Sequence, residues 1–410
     1  MKKKLVILGN GASGKAVARL GKHLSFDCQI ITDDDTTTLP QCDLIVASPG
    51  PNPLKSNLYK QAKNSGIKFI GEVEFGSQYL KKPILAITGT NGKTTTTELT
   101  CHLLNNLGIN AVTSGNIGIP VSDTAMDIIE NKINPEVIVM EVSNAHLELV
   151  DKFAPLASAI TNLESDHEDR YQGKFEEYCQ IKRRIFNNVV KDRQITGLSM
   201  QEVKGKFYVL DDTLMYLNNP IINLLETKLS APHNQENLCI ACELVSFIIN
   251  EETILSKNFA QAIKSFNLGE HRIEYVDTVN NITYINDSKG TNPAAVIAAA
   301  NSCKEKIVLM LGGLDKGVDL TALTCLAPKL RAIVAFGTCE EKIVTIFNNL
   351  TVVEKAGMDF DIAFNKATTL AKEGDTVLLS PACASMDMFK NYAARGVAFR
   401  NLVKELKDKK

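Results

Sequence analysis

An α/β protein with parallel sheets, divided into three domains, is the architecture this 410-residue sequence predicts, and three observations predict it. Short, continuous apolar runs, of the kind buried on both faces of a parallel sheet, alternate with helical periodicity almost throughout. Two of those runs pass directly into glycine-rich turns where a helix pattern begins, at 9–14 and at 89–94. Two joints interrupt the alternation: the charged, proline-marked Lys81-Lys82-Pro83, and Leu268-Gly269-Glu270, where a helical pattern stops ahead of a hairpin. They divide the chain into segments 1–82, 83–268 and 269–410, each large enough to hold its own core.

The first segment starts like a secretory leader, MKKKLVIL, but its apolar run lasts four residues before meeting GNGASG, so it reads as a first strand. Gly9-Asn-Gly11-Ala12-Ser13-Gly14 follows that strand, and the second run, CQIIT, ends in Ile31-Thr32-Asp33. A G-x-G-x-x-G turn with an acid about twenty residues on is the dinucleotide pattern of a Rossmann-like domain, and alone it suggests NAD. The segment is small for a full dinucleotide fold, and such glycines serve any diphosphate at a helix start, so a nucleotide diphosphate group is the inference. The third run, DLIVASPG, ends in Ser48-Pro49-Gly50, at the sheet edge where ligands bind.

In the middle segment PILAIT runs into Gly89-Thr90-Asn91-Gly92-Lys93-Thr94, and Leu99, Leu103 and Leu107 mark the helix that follows. Backbone N–H groups of the turn can wrap an anion, and the helix presents its positive end to it. Lys93 adds a full charge for the β- and γ-phosphates and Thr94 a hydroxyl for Mg²⁺. The loop is shorter than the standard P-loop, whose first glycine would fall at Ile87. ATP with Mg²⁺ is the reading of this P-loop-type mononucleotide-binding sheet. AVTSG comes next, then EVIVMEVS with Glu141 at its carboxyl end, either directed at the phosphate crevice as a Mg²⁺ ligand or facing solvent. LASAITNL leads into Glu164-Ser-Asp166-His167-Glu-Asp169-Arg170-Tyr171, and a histidine flanked by acids at that edge suits a metal or phosphate site. Lys182, beside Arg183 and Arg184, taken alone belongs to a charged, solvated helix face. Helical spacing puts the amides of Asn234 and Asn237 on one face, where an amide can pair with an adenine edge; Asn234 also suits a helix N-cap.

The last segment begins with a hairpin, IEYVDTV-NN-ITYINDS, and continues with KIVLMLGG, RAIVAFG and TVLLSPA. The net charge of -2 gives no electrostatic case for nucleic acid or a membrane as main partner, and no apolar stretch approaches the roughly 20 residues of a membrane span. The ten cysteines are scattered, as expected of reduced thiols in a cytoplasm. Cys239 and Cys242 form one CxxC in a helical pattern, read as packed thiols rather than a zinc or redox site.

ITGTNGKTTT, SGNIGIP (114–120), the Glu141 strand, DHEDRY, His271-Arg272-Ile-Glu, Ile285-Asn-Asp287-Ser-Lys289-Gly-Thr291, Leu311-Gly-Gly-Leu-Asp-Lys316 and SPACASMDMFKNYAARG (380–396) together resemble the Mur ligase family of ATP-dependent amide-forming ligases. The likeness spans the full chain. It implies a first domain holding a UDP-linked substrate through Gly11, Ala12, Ser13, Asp33, Ser48, Pro49 and Gly50, with Asn116 beside the metal and acyl-phosphate site. It implies ATP on Gly89, Thr90, Asn91, Gly92, Lys93, Thr94, Thr95, Asn234, Asn237, Arg272 and Asp287. Lys93, Glu141, His167 and Lys182 become catalytic, and two Mg²⁺ ions fall to Thr94, Glu141, His167 and Lys182, the last as a carbamate. The third domain becomes a Rossmann-like one that closes on ATP and binds the incoming amino acid through Lys289, Thr291, Lys316, Ser385 and Tyr392.

Within the family, the SPACAS segment, the short first domain and the absence of an Asp-Asn-Pro-Arg motif point to the addition of D-glutamate to UDP-N-acetylmuramoyl-L-alanine; a cytoplasmic monomer is the accompanying expectation. The alternative is another family member, or a folylpolyglutamate synthase-like ligase with a different amino acid. Two departures stand out: Tyr392 where the family often has phenylalanine, and Asn144-Ala145-His146 where it commonly reads Ser-Phe-Gln. An NAD oxidoreductase would leave GTNGKTTT and DHEDRY unused, and a non-catalytic nucleotide-binding module would leave Glu141, His167, Lys182 and Lys316 idle.

Overall fold

The computed structural model describes residues 2–164, 168–171, 174–197, 205–315 and 317–408. The expected sites at His167 and Lys316 lie outside the described residues. The chain forms two compact units, Met1–Phe266 and Asn267–Lys410.

The first unit holds two parallel sheets. One consists of β1 (Lys4–Leu8), β2 (Asp27–Ile31), β3 (Leu44–Ala47) and β4 (Phe69–Gly71), in the order β2-β1-β3-β4. The other consists of β5 (Ile84–Thr88), β6 (Ala111–Gly115), β7 (Val137–Glu141), β8 (Ala157–Ile160) and β9 (Gln194–Thr196), in the order β6-β7-β5-β8-β9. Every residue of β5, β7 and β8 is buried, which is why these strands are apolar without alternation. Leu5, Ile7 and Val17 of the first sheet layer share one core with Val121, Ile138, Met140 and Ile160 of the second. Each such side chain contributes roughly 1.5–3 kcal/mol on burial, and the Lys81-Lys82-Pro83 joint lies inside this jointly packed unit. The unit also carries an antiparallel sheet that the apolar runs did not reveal: β10 (Phe207–Leu210), β11 (Thr213–Tyr216) and β12 (Asn219–Asn223).

The second unit is built on one six-stranded sheet, β13 (Glu274–Val279), β14 (Ile282–Asn286), β15 (Ile307–Gly312), β16 (Leu330–Phe336), β17 (Val352–Lys355) and β18 (Thr376–Ala382), in the order β13-β14-β18-β15-β16-β17. Only β13 and β14 pair antiparallel. Their turn, Asn280-Asn281, has φ of 54° and 59°, the left-handed pair that a two-residue hairpin needs and that asparagine tolerates. Helices cover both faces, including Pro293–Ser302, which Asn292 caps through its side chain, and Tyr392–Asp408.

Candidate active site

The carboxyl end of β5 turns through Gly89 to Gly92 into the helix Lys93–Asn106. That helix has Gly92 at its N-cap, no side-chain cap and no acidic residue in its first turn, so its leading N–H groups and positive end stay available to an anion. Gly89 and Gly92 adopt φ of 146° and 80°. A Cβ on Gly89 would sit 1.9 Å from Thr161 Oγ1, and one on Gly92 would sit 2.2 Å from Asn237 Oδ1, so the loop admits no larger residue at either position. The back of the loop is held by residues that spacing alone did not single out. Thr90 N–H donates to Asn162 O (3.0 Å) and Asn91 N–H to Asn162 Oδ1 (2.8 Å). Asn91 Nδ2 donates to Glu164 (2.7 Å), Thr161 Oγ1 donates to Asn91 O (2.5 Å), and the Thr90 hydroxyl lies 3.0 Å from that of Tyr178. Lys93 Nζ folds back onto Gly89 O (2.9 Å) and Thr90 O (2.8 Å), which stations its charge at the loop. Thr94 and Thr95 are buried behind it.

Two residues for which the sequence left a solvated alternative are buried. Glu141 does not face solvent: it ends β7, next to β5 in the sheet, and is 1 % exposed. Its Oε1 accepts from Asn116 Nδ2 (2.6 Å), while Oε2 is buried with no hydrogen-bond partner among the described residues. Lys182 is not part of a solvated face either. It is 1 % exposed on the helix Phe175–Arg183, donates from Nζ to Gly89 O (2.7 Å) and lies 4.7 Å from the centroid of the Tyr178 ring. Arg183 and Arg184 are the exposed residues there. The departures after Ser143 are also accounted for. Ser143 and His146 form a capping box for the turn Asn144–Leu147, and Asn144 Nδ2 donates to Tyr171 Oη (2.8 Å). Burial pushes His146 down to about 4, so the ring is neutral; Nδ1 accepts from Ser143 N–H (3.2 Å), which places the proton on the buried Nε2.

Asn237 Oδ1 accepts from Thr96 Oγ1 (3.2 Å), tying the helix Pro232–Val245 to the phosphate-loop helix. Asn234 lies one turn earlier and is buried, but the N-cap of that helix is Ala231, with Pro232 in the first turn; the capping expectation for Asn234 is therefore wrong. Cys239 and Cys242 are buried on the same helix. Among the described residues no cluster of three or more His, Cys, Asp or Glu side chains is placed to hold a metal. The oxygens that could hold Mg²⁺ are Glu141 Oε2, which has no hydrogen-bond partner among the described residues, and the Thr94 hydroxyl. That set fits an ion that binds through one or two protein oxygens together with phosphates.

At the carboxyl edge of the first sheet, Gly11, Ala12, Ser13, Asp33, Ser48, Pro49 and Gly50 line one cavity of about 760 Å³. The helix Ala12–His23 points its N-terminus there, again without a side-chain cap. Asp33 Oδ1 accepts from Leu58 N–H (2.9 Å). Burial pushes Asp33 up, but hydrogen bonds from Ser56, Leu58 and Asn57 outweigh it and hold the carboxyl below its ordinary value. Asn116, expected beside the metal and acyl-phosphate site as well as with the UDP-linked substrate, donates to Glu141.

In the second unit the ends of β14 and β18 bring Asp287 and Ser385 to one edge of the sheet. Asp287 is buried, accepts from Ser380 Oγ (2.6 Å) and from Ile273 N–H (3.2 Å), and is pushed up to about 7 by burial. Lys289 Nζ sits 4.1 Å over the Tyr392 ring, a cation–π contact. Ser385 is buried and Thr291 exposed. Arg395, within the quoted NYAARG motif, has no exposure at all. Its guanidinium donates to Ser288 Oγ (3.0 Å), Ser288 O (2.9 Å) and Cys383 O (3.2 and 3.3 Å), which fastens the Ser288 and Cys383 loops to each other. Arg272 is close enough to Asp287 to oppose its upward shift.

An uncapped Gly-Lys-Thr helix start beside a buried carboxylate, on a parallel sheet, defines a nucleotide-dependent phosphoryl-transfer enzyme. Residues 87–208 match the Mur ligase middle domain and residues 271–383 the Mur ligase, glutamate ligase domain. A UDP-N-acetylmuramoylalanine–D-glutamate ligase from a Thermoanaerobacter species is 38% identical over 396 residues, covering 89% of this chain and 85% of the relative. One from Christiangramia forsetii is 34% identical and covers 99% of this chain and 100% of the relative. The solved UDP-N-acetylmuramate-alanine ligase of Thermotoga maritima has the same fold, with a TM-score of 0.62 at 17% identity over 100% of both chains. The chain belongs to the Mur ligase family.

Proposed function

We propose that this protein joins D-glutamate to UDP-N-acetylmuramoyl-L-alanine at the cost of ATP, releasing ADP and phosphate, as a cytoplasmic step in peptidoglycan precursor synthesis. The observation that carries the reading is Glu141 Oε2, buried and, among the described residues, unpartnered at the strand end next to the phosphate loop. A carboxylate alone in that position calls for a cation, and an ATP-dependent ligase brings one. We assign residues 1–82 to the UDP-linked substrate, 83–268 to ATP and 269–410 to the amino acid.

A carboxylate does not acylate an amine at neutral pH, because oxide would have to leave. Transfer of the γ-phosphoryl group to the substrate carboxylate gives an acyl phosphate; the D-glutamate amine attacks its carbonyl, and phosphate leaves with the bond electrons. Phosphoryl transfer between anions needs positioning and charge neutralisation above all. The leading N–H groups of the helix Lys93–Asn106 hold the phosphates, and Lys93 leaves the loop carbonyls for the β- and γ-phosphates. Thr94, Glu141 and, by the resemblance, His167 would hold Mg²⁺. When bound, Mg²⁺ neutralises the charge that develops on the phosphoryl oxygens. Asn116 fixes the Glu141 carboxylate from one side, so that Oε2 keeps its direction. Asn234 and Asn237 are assigned to adenine, and Arg272 and Asp287 to ATP.

Lys182 is the proposed carbamate. Carbon dioxide adds to an uncharged amine, and the adduct is an anion with two oxygens suited to a second Mg²⁺. The cavity of the first sheet takes the uridine diphosphate group, with the diphosphate at the helix Ala12–His23. Lys289, Thr291, Lys316, Ser385 and Tyr392 take D-glutamate. The test is ADP release by the purified protein with each substrate omitted in turn. Release that requires both UDP-N-acetylmuramoyl-L-alanine and D-glutamate supports the assignment; release satisfied by another amino acid in place of D-glutamate overturns it.

A further inference from the structure

Cys339 and Cys383 lie 44 residues apart in sequence, yet their sulfurs are 3.3 Å apart, with Cys383 Sγ–H donating to Cys339 Sγ. Both side chains are buried. Cys339 directly precedes the helix Glu340–Phe347, and its side chain makes no capping hydrogen bond there. Cys383 follows β18 in the SPACAS segment. The hydrogen bond from Cys383 holds the Cys339 thiol below its ordinary value against the opposing effect of burial, and the same bond, with burial, holds Cys383 far above its own. One sulfur of the pair is thus set up as the nucleophile and the other as its proton donor.

We propose that Cys339 and Cys383 form a peroxide-sensitive dithiol whose oxidation to a disulfide disables the edge of the second unit that takes the amino acid. The oxidant is hydrogen peroxide, a molecule about the size of water. The Cys339 thiolate attacks one peroxide oxygen, the O–O bond breaks, and hydroxide leaves, giving a sulfenic acid. The Cys383 sulfur then attacks that sulfur, the S–O bond breaks, and the oxygen leaves as water once protonated by the Cys383 proton. Two thiols and one peroxide become one disulfide and two waters, with the sulfurs oxidised and the peroxide oxygens reduced.

The link to the site is mechanical. A disulfide needs about 2.05 Å between its sulfurs, so the pair must close by roughly 1.3 Å. The backbone on both sides is already fixed. Cys383 O is held by Arg395, Ala384 O accepts from Leu314 N–H (2.8 Å), and Cys339 N–H donates to Gly313 O (3.1 Å). Thr338 bridges the same loops, with its N–H on Asp387 (3.1 Å) and its hydroxyl accepting from Asp315 N–H (3.0 Å). Closure therefore displaces the loop that carries Ser385, two residues beyond Cys383.

The loss of amino acid binding rests on the function proposed above; the disulfide itself does not. The experiment treats the full-length protein with hydrogen peroxide, maps its peptides by mass spectrometry without reduction, and measures KM for D-glutamate and for ATP. The expected result is a linked Cys339–Cys383 peptide, a KM for D-glutamate raised at least tenfold, a KM for ATP within twofold, and full reversal by dithiothreitol. Cys339→Ala should keep its basal activity and show no peroxide-dependent change in KM. Both cysteines recovered as thiols, or as sulfinic acids without a link, would overturn the dithiol. A linked peptide with unchanged KM would overturn its coupling to the site. Absence of D-glutamate-dependent turnover before oxidation would contradict the proposed function alone, and the peptide map would still decide the dithiol.

Discussion

Glu72→Gln should remove most of the pH dependence that one buried carboxyl gives to the first unit. Glu72 is 1 % exposed; its Oε1 accepts from Ser122 N–H (2.7 Å) at the start of the helix Val121–Ile129, and its Oε2 is buried without a partner. Burial, only partly offset by the Ser122 hydrogen bonds, pushes it up to about 7 from an ordinary 4.5. A carboxyl raised in the folded state contributes stability that is complete below 4.5 and is lost as pH rises through 7. At about 1.4 kcal/mol per pH unit the full effect is about 3 kcal/mol, of which about 2.5 falls between pH 5 and pH 8. Glutamine keeps the shape and cannot ionise. The assay is urea denaturation of both proteins at pH 5 and pH 8, taking the difference between them at each pH. Asp287, also pushed up to about 7, is common to both and cancels. The variant should gain about 2.5 kcal/mol on the parent between the two pH values. A difference constant to within about 0.5 kcal/mol would refute the account of Glu72 as a carboxyl kept neutral by burial.

Lys93→Ala should lower turnover by two or more orders of magnitude with an unchanged circular dichroism spectrum, since it removes the charge stationed at the phosphate loop; near-normal turnover would remove Lys93 from the ATP site. Lys182→Ala should lose most activity and recover part of it with added acetate or formate, whose carboxylate can stand in for the carbamate. Lys182→Arg should be inactive and unrescued, because a guanidinium keeps its charge and takes up no CO₂; full activity in that variant would leave the residue as a plain cation.

How much of this was legible in the sequence depends on the range over which each residue acts. The parallel strands were readable because burial on both faces demands continuous apolar runs, as in β5, β7 and β15, and the hairpin because Asn280-Asn281 answers a local backbone need. The small sheet β10–β12 was not: its strands are four or five residues long and lie partly at the surface, so no sustained pattern marks them. The phosphate loop was legible as a local motif, but the residues that brace it, Asn162 and Glu164, sit more than 70 positions away and are ordinary polar residues until the fold delivers them. Lys182 shows the same limit from the other side. Its neighbours Arg183 and Arg184 are exposed, and only the helix register turns Lys182 inward onto Gly89 O. Glu72 and Arg395, buried ionisable residues with partners 50 and 107 residues distant, give no local signal beyond an ionisable residue in a mostly apolar stretch.

The central claim is that ATP activates the carboxylate of UDP-N-acetylmuramoyl-L-alanine as an acyl phosphate. The most direct measurement supplies that substrate with oxygen-18 in its alanyl carboxylate and analyses the released phosphate by mass spectrometry. The account predicts one labelled oxygen in each phosphate formed, because the oxygen that receives the phosphoryl group departs with it when the amine attacks. Unlabelled phosphate, formed at the same rate as the amide, would contradict it.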